Sequence, residues 1–367
     1  MLHSTIVSQT RPSTMGTLSS AIQPFIDRGT LAGAIALAAD HERILSIDCF
    51  GWADIEARKP MRPDTMVWIA SQSKSITAML LMMVVETGAI ELDAPLETYL
   101  PEFKNQWLAA ESDDDHILLR KPVRKPTVRD TLCHLSGMGT ISALETPVRD
   151  HLPLEVRVRG YAMTPLQTEP GSTYCYSNQG INTAGRLVEV GSGMPFASFL
   201  RERLTGPLGL ADTTFFPTVE QEARIAKAYR PNAGGTALEE YVIDQQTHPR
   251  SVSGRYPVPA NGLYSTAADC ARICQVALNQ GEFEGHRYMA RSTHREMLRR
   301  QTPLDQQCCG LGWHPEPDHY GHGGALSTGM WIYPDRDRIL VWLPQAAGFL
   351  GDGAQALDAF KSAALQC

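Results

Sequence analysis

Lysine is scarce in this sequence, with seven in 367 residues, and acidic side chains outnumber basic ones 40 to 33 for a net charge of −7. That balance lacks the positive footprint with which proteins neutralise phosphates, so nucleic acid is not expected as a partner. Long apolar runs are missing too. The longest, residues 76–85, is half the ~20 residues a bilayer crossing requires, so no membrane partner is expected. Residues 1–16 are broken by polar side chains and develop no apolar signal segment. The expected compartment is therefore the cytoplasm, or the periplasm if a native signal peptide has been removed. Eight cysteines in a chain this long do not form a disulfide scaffold, and no C-x-x-C pair occurs. Cys270 and Cys274 lie one helical turn apart, and adjacent Cys308 and Cys309 are followed by His314, His319 and His322. Neighbouring cysteines seldom share one ion, so these read as small buried thiols, with no metal and no cofactor expected. G-x-S-x-G is absent as well, which excludes the nucleophile elbow of an α/β-hydrolase.

What remains is a globular composition, 43% hydrophobic and 20% charged, able to bury the core of one large domain or two. Residues 31–39 and 44–50 flank the turn Asp40-His41-Glu42-Arg43 and read as a hairpin. Residues 328–333 and 339–343 read as a second, around Pro334-Asp335-Arg336-Asp337. Residues 71–86 are apolar nearly all round, the pattern of an internal helix. Amphipathic helices are expected at 127–135, 182–190, 195–204 and 265–279, and a last helix at 352–365. Strands at both ends with helices between them predict an α/β (α+β) fold. Its antiparallel sheet is drawn from both termini (15–100 and 255–367), with a mainly helical domain (101–254) inserted and the active site between them. Residues 104–125, with Asp113-Asp114-Asp115 and a basic stretch at 120–125, read as a solvated loop.

Of the seven lysines, only Lys74 has a serine three residues before it. In Ser71-Gln72-Ser73-Lys74 a three-residue offset sets both side chains on one helical face. A serine hydroxyl becomes a competent nucleophile when a base removes its proton. Burial lowers an ammonium pKa from about 10.4 towards the working range, which would let Lys74 be that base. At a helix N-terminus the Ser71 backbone N–H could also face a developing oxyanion. The plain reading is an N-cap serine and a solvated lysine, but Lys74 opens an apolar helix, where an unpaired lysine is costly. Tyr176-Ser177-Asn178 supplies a phenol able to relay a proton and an amide able to orient Lys74 or a substrate carbonyl. His322-Gly323-Gly324-Ala325 precedes the second hairpin; its glycines let another backbone approach, and the Ala325 N–H could join that of Ser71.

The order S-x-x-K, then Y-x-N roughly a hundred residues on, then H-G-G roughly 150 further, resembles the penicillin-recognising serine enzymes. The similar branch holds class C β-lactamases, D-Ala-D-Ala carboxypeptidases, D-aminopeptidases and β-lactamase-like carboxylesterases. Thr127-Val128-Arg129, His134-Leu135-Ser136-Gly137, Gly206-Pro207-Leu208-Gly209-Leu210, Gly262-Leu263-Tyr264-Ser265-Thr266-Ala267-Ala268-Asp269 and Gly310-Leu311-Gly312-Trp313 match as well. The resemblance runs from about residue 16 to the C-terminus. It implies Ser71 as the acylated nucleophile, Lys74 and Tyr176 as the proton-handling pair, and Asn178 as substrate orienter. The Ser71 and Ala325 N–H groups would form the oxyanion hole, with His322, Gly323 and Gly324 lining the substrate strand. His322 replaces the lysine of class C β-lactamases, and Gly323 a threonine, which removes two anchors for a substrate carboxylate. Ser327 and Thr328 read as strand residues without a role, and His134 as a structural residue within a helix.

These residues imply a cofactor-free serine hydrolase working through an acyl-enzyme on a small-molecule ester, amide or peptide. Carboxylesterase-like action on small acyl esters comes first. D-amino-acid peptidase or amidase, weak β-lactamase and acyltransferase are the alternatives, and a ligand-sensing binding module is the non-enzymatic one. Residues 104–125 and 140–170 are the expected pocket walls.

Overall fold

Residues 33–39 are small and apolar without alternation, which suits a strand covered on both faces. In the computed structural model of the chain, which describes residues 15–366, this run is β1 (Gly33–Ala39), buried throughout. It lies inside a seven-stranded antiparallel sheet. One side of it carries β2 (Ile44–Asp54) and β3 (Lys59–Pro60). The other carries, outward, β7 (Arg338–Pro344), β6 (Gly329–Tyr333), β5 (Tyr320–Gly323) and β4 (His314–Pro315). The two expected hairpins are thus joined edge to edge, with Ala34 opposite Pro344 and Ala39 opposite Ile339. The reading of residues 1–16 as free of a signal segment falls largely on residues 1–14, which lie outside the described residues.

Eight helices position the site: α1 (Met15–Asp27), α2 (Ser73–Glu86), α3 (Val128–Leu132), α4 (Leu154–Met163), α5 (Asn178–Ser192), α6 (Phe196–Leu200), α7 (Ala267–Leu278) and α8 (Ala356–Ala364). The two-residue period of β1 divides them. Ala34, Ala36 and Ala38, with Leu340 and Trp342 of β7, pack against α1 and α8. Ile35, Leu37 and Ala39, with Ile339, Val341 and Leu343, face the larger core that holds α2 and α7. Small alanines on the first face let two helices settle close to the sheet.

Several expectations shift. The helix expected at 127–135 ends at Leu132, so His134 stands outside it with φ +63°. The helix expected at 182–190 is longer, because Ser177 caps it at Gly180 and adds the turn beginning at Asn178. The helix expected at 195–204 is helical only to Leu200 and then widens into a π turn, Arg201–Thr205. Residues 104–125 are not simply a loop. Leu108–Ser112 and Ile117–Arg120 pair as an exposed hairpin. Its acidic run forms the turn, the Asp113 carboxylate accepting from the N–H groups of Asp115 and His116. Helix α1 was not foreseen at all; Pro24 inside it and the polar residues around it obscure its apolar side.

Candidate active site

The residues of S-x-x-K are held by a turn that cannot be helical throughout. Ala70 has φ +48°, so a 3-10 turn (Ala70–Gln72) precedes α2, and the regular helix begins at Ser73 rather than Ser71. From Ser73 to Val84 every residue of α2 is buried. Its hydroxyls are all satisfied: Ser73 donates to the Ala70 carbonyl (2.6 Å), Ser75 to Gly312 (2.6 Å) and Thr77 to Pro259 (2.8 Å). Gly312 allows this closeness, because a Cβ there would lie 2.4 Å from that of Ala78.

Lys74, fully buried, has three neighbours. Its Nζ lies 2.8 Å from Asn178 Oδ1, 2.9 Å from the Ala260 carbonyl and 3.1 Å from Ser71 Oγ. Among the described residues no carboxylate pairs with it. Burial, and next the charge of Arg149, hold the Lys74 pKa well below its ordinary value. A neutral amine fits the site, since its two N–H bonds satisfy two obligate acceptors and its lone pair is left facing the Ser71 hydroxyl. The Tyr176 ring lies under Nζ at 4.7 Å, and its phenol is near enough to the Ser71 hydroxyl for that group to lower its pKa. Burial pushes that phenol up to about 12 while the nearby Ser71 hydroxyl opposes the rise, so it stays protonated near neutrality. The structure therefore brings Ser71, Lys74, Tyr176 and Asn178 into one cluster from two distant segments.

The H-G-G segment reaches the cluster from the sheet. A Cβ on Gly324 would lie 2.4 Å from the Ile69 carbonyl, so glycine is required where the chain leaving β5 passes the segment before Ser71. Gly323 is different, with only the Thr328 carbonyl near, at 3.7 Å. The turn Ala325–Ser327 lies close to the turn Ala70–Gln72 that carries Ser71. Strand β4 pairs only with Gly321 and Tyr320, leaving His322 and Gly323 beyond its reach on that side.

A family model for beta-lactamase matches residues 18–364. The chain belongs to the beta-lactamase family. Its relatives include esterase EstB of Burkholderia gladioli, 28% identical over 77% of this chain and 74% of that protein. Lovastatin esterase of Penicillium rubens is 26% identical over 71% and 68%. EstCE1, described as a hydrolase with promiscuous acyltransferase activity, superposes with a TM-score of 0.80 at 22% identity, over 96% of this chain and 98% of that one. The likeness to EstCE1 shows the β-lactamase/transpeptidase-like fold, and the kinship as a whole is that of a serine hydrolase or acyltransferase. No helix among the described residues is long and apolar enough to cross a membrane.

In this beta-lactamase-family chain His322 is 5% exposed. Burial, then the neighbouring His314 and Lys74, push its pKa well below the usual histidine range, so it is a neutral imidazole. His314 packs on it with ring centroids 4.7 Å apart, whereas His319 stacks on Tyr333 at 4.8 Å, so the three histidines do not converge. Thr328 and Ser327 are tied down, their hydroxyls donating to the Ile69 and Ala346 carbonyls at 3.4 and 3.1 Å.

Three supports were not read as part of the site. His134 packs its ring on Tyr176 (4.6 Å), and its Nδ1 accepts the Ser177 N–H at 3.0 Å. Burial keeps it neutral, so it is a brace for the Tyr176 segment. Ala260 presents its carbonyl to Lys74 while its N–H donates to Asn182 Oδ1 at 3.0 Å. Asn182 is held in turn by Tyr161 and Glu145, at 3.0 and 3.3 Å. The one sequence signal for Asn182 was its place one helical turn after Asn178 on α5.

Proposed function

We propose that the protein is a cofactor-free serine hydrolase that forms an acyl-enzyme on Ser71, with small acyl esters as its first substrates. The observation that carries this reading is the buried Lys74 amine, 3.1 Å from Ser71 Oγ and without a neutralising carboxylate among the described residues. Lys74 accepts the Ser71 proton as Oγ attacks the carbonyl carbon. The backbone N–H groups of Ser71 and Ala325 hold the oxyanion. Tyr176, a neutral phenol beside Ser71, passes a proton to the departing alkoxide and recovers one by way of Lys74. Water then attacks the acyl-enzyme and releases the acid; an alcohol in its place gives acyl transfer by the same residues. Asn178 holds Lys74 and offers its amide N–H to the substrate carbonyl. The neutral, buried His322 supports esters over penicillins, because it offers no fixed charge at the H-G-G position. The division into a sheet body (15–100 and 255–367) and a helical part (101–254), with the substrate entering between them, belongs to this reading.

The test compares wild type with Ser71→Ala on 4-nitrophenyl acetate and butyrate, together with intact-mass detection of an acyl adduct. Turnover in wild type, with both turnover and adduct lost in the variant, is the expected result. Equal activity in both would exclude Ser71 as nucleophile.

A further inference from the structure

Arg157 of α4 is costly where it stands. Its side chain is fully buried, and among the described residues its Nε and Nη1 make no hydrogen bond. Only Nη2 donates, to the carbonyl of Pro257. Its counter-ion is Glu145, also buried, with Oε1 3.7 Å from Nη1. A buried ion pair adds little stability over apolar residues of the same volume, so its use lies in what it holds in place.

The pair grips both ends of one short segment, residues 257–260. Arg157 holds the Pro257 carbonyl at its start. Glu145 Oε1 accepts from Tyr161 OH at 2.6 Å and from Asn182 Nδ2 at 3.3 Å, and Nδ2 also donates to the Tyr161 hydroxyl at 3.0 Å. With its amino group so engaged, Asn182 turns Oδ1 to the Ala260 N–H, 3.0 Å away, at the end of the segment. Between these grips Pro259 is wedged. A Cβ on Gly185 would lie 2.4 Å from its ring, and its carbonyl accepts from Thr77 Oγ1 at 2.8 Å. The Ala260 carbonyl then receives Lys74 Nζ at 2.9 Å. A neutral amine has two N–H bonds, and the acceptors that take them, Ala260 and Asn178, decide where its lone pair points. Moving one acceptor would swing that lone pair off Ser71.

We propose that Glu145 and Arg157 are a positioning pair for Lys74: through Asn182 and residues 257–260 they set the Ala260 carbonyl, and with it the direction in which the amine faces Ser71. This rests on the hydrolase reading above and adds to it a device too buried to meet substrate.

The test reads the full chain in two ways. One is turnover of 4-nitrophenyl butyrate. The other is inactivation by diethyl 4-nitrophenyl phosphate, in which Ser71 Oγ bonds to phosphorus as 4-nitrophenolate leaves, followed by intact mass. Asn182→Ala should lower kcat and the inactivation rate constant by about tenfold to a hundredfold, with KM changed by less than about twofold. Glu145→Gln combined with Arg157→Met keeps an acceptor for Tyr161 and leaves no unpaired charge. It should show the same loss at an unchanged urea unfolding midpoint. Added to Asn182→Ala it should slow the enzyme no further, since both act through Ala260. Should the combined change prevent folding, Tyr161→Phe removes only the hydroxyl between Glu145 and Asn182. It should cost about threefold to tenfold in the same rates, the range of one hydrogen bond. Wild-type rates in Asn182→Ala, or losses that multiply when the changes are combined, overturn the proposal while ester turnover by wild type upholds the hydrolase reading. An enzyme that reacts with the phosphate at Ser71 yet turns over no ester sinks that reading and leaves the positioning to be scored from inactivation. One inert to both overturns the two together.

Discussion

Behind the sheet, Trp342 stacks on Phe360 with ring centroids 5.3 Å apart, and Leu18, Ile22, Phe25 and Ala36 fill the space around them. In front of it, α2 sends Ser73, Lys74, Ser75 and Thr77 into an interior just as dry. The first layer is held by the removal of apolar surface from water, and local errors there are tolerated in proportion to area. The second is held by directed bonds that each need a particular partner, and four non-glycine residues around it are left-handed: Ala70, His134, Leu326 and Ser327. Such residues cost about 1–3 kcal/mol each and persist only where their surroundings fix them. Stability is thus concentrated behind the sheet, and positional precision in front of it.

The largest test of this contrast is Lys74→Met, which should lower kcat on a short nitrophenyl ester by roughly a thousandfold or more, with an unchanged near-ultraviolet circular dichroism spectrum. A smaller loss would mean that the front layer does not depend on its base. Phe360→Ala should do the opposite, costing about 3–5 kcal/mol in urea unfolding while the folded fraction keeps its kcat. His134→Ala is expected to reduce kcat by about tenfold, with KM little changed, since Tyr176 would lose its brace but not its phenol; a change confined to stability would reassign His134 to packing alone.

Two smaller effects concern pH. Because the folded Lys74 pKa is depressed, the amine is neutral above that value, so kcat/KM should fall as pH drops through it. In Arg149→Gln the acid limb should move to higher pH, since one repelling charge is gone. His294 is the stability counterpart. Burial lowers its pKa from 6.5 to about 4, so the unfolded chain binds more protons between those values. The stability it contributes is whole above pH 6.5 and is lost as pH falls to about 4, a span of about 3 kcal/mol. His294→Gln should flatten that part of the curve of unfolding free energy against pH; an identical slope in both proteins would assign the acid sensitivity to other groups.

Both hairpins, the internal helix and the S-x-x-K, Y-x-N and H-G-G segments were legible because each is announced by neighbours in sequence: turn residues, apolar period, fixed offsets. The exposed hairpin at 108–120 was not, since its charged turn looks like any solvated loop. Asn182 and Ala260 could not be singled out, because their meaning lies in partners far along the chain. Asn182 is 78 residues from the Ala260 N–H that it accepts.

The sequence by itself determined which stretches are apolar, which lysine stands three residues after a serine, and that no apolar run reaches the ~20 residues of a membrane-crossing helix. Only the tertiary structure decided that this lysine is fully buried with no carboxylate paired to it among the described residues, and that His322 is neutral. Those properties depend on desolvation and on distances between segments brought together by folding, and neither is written in local order.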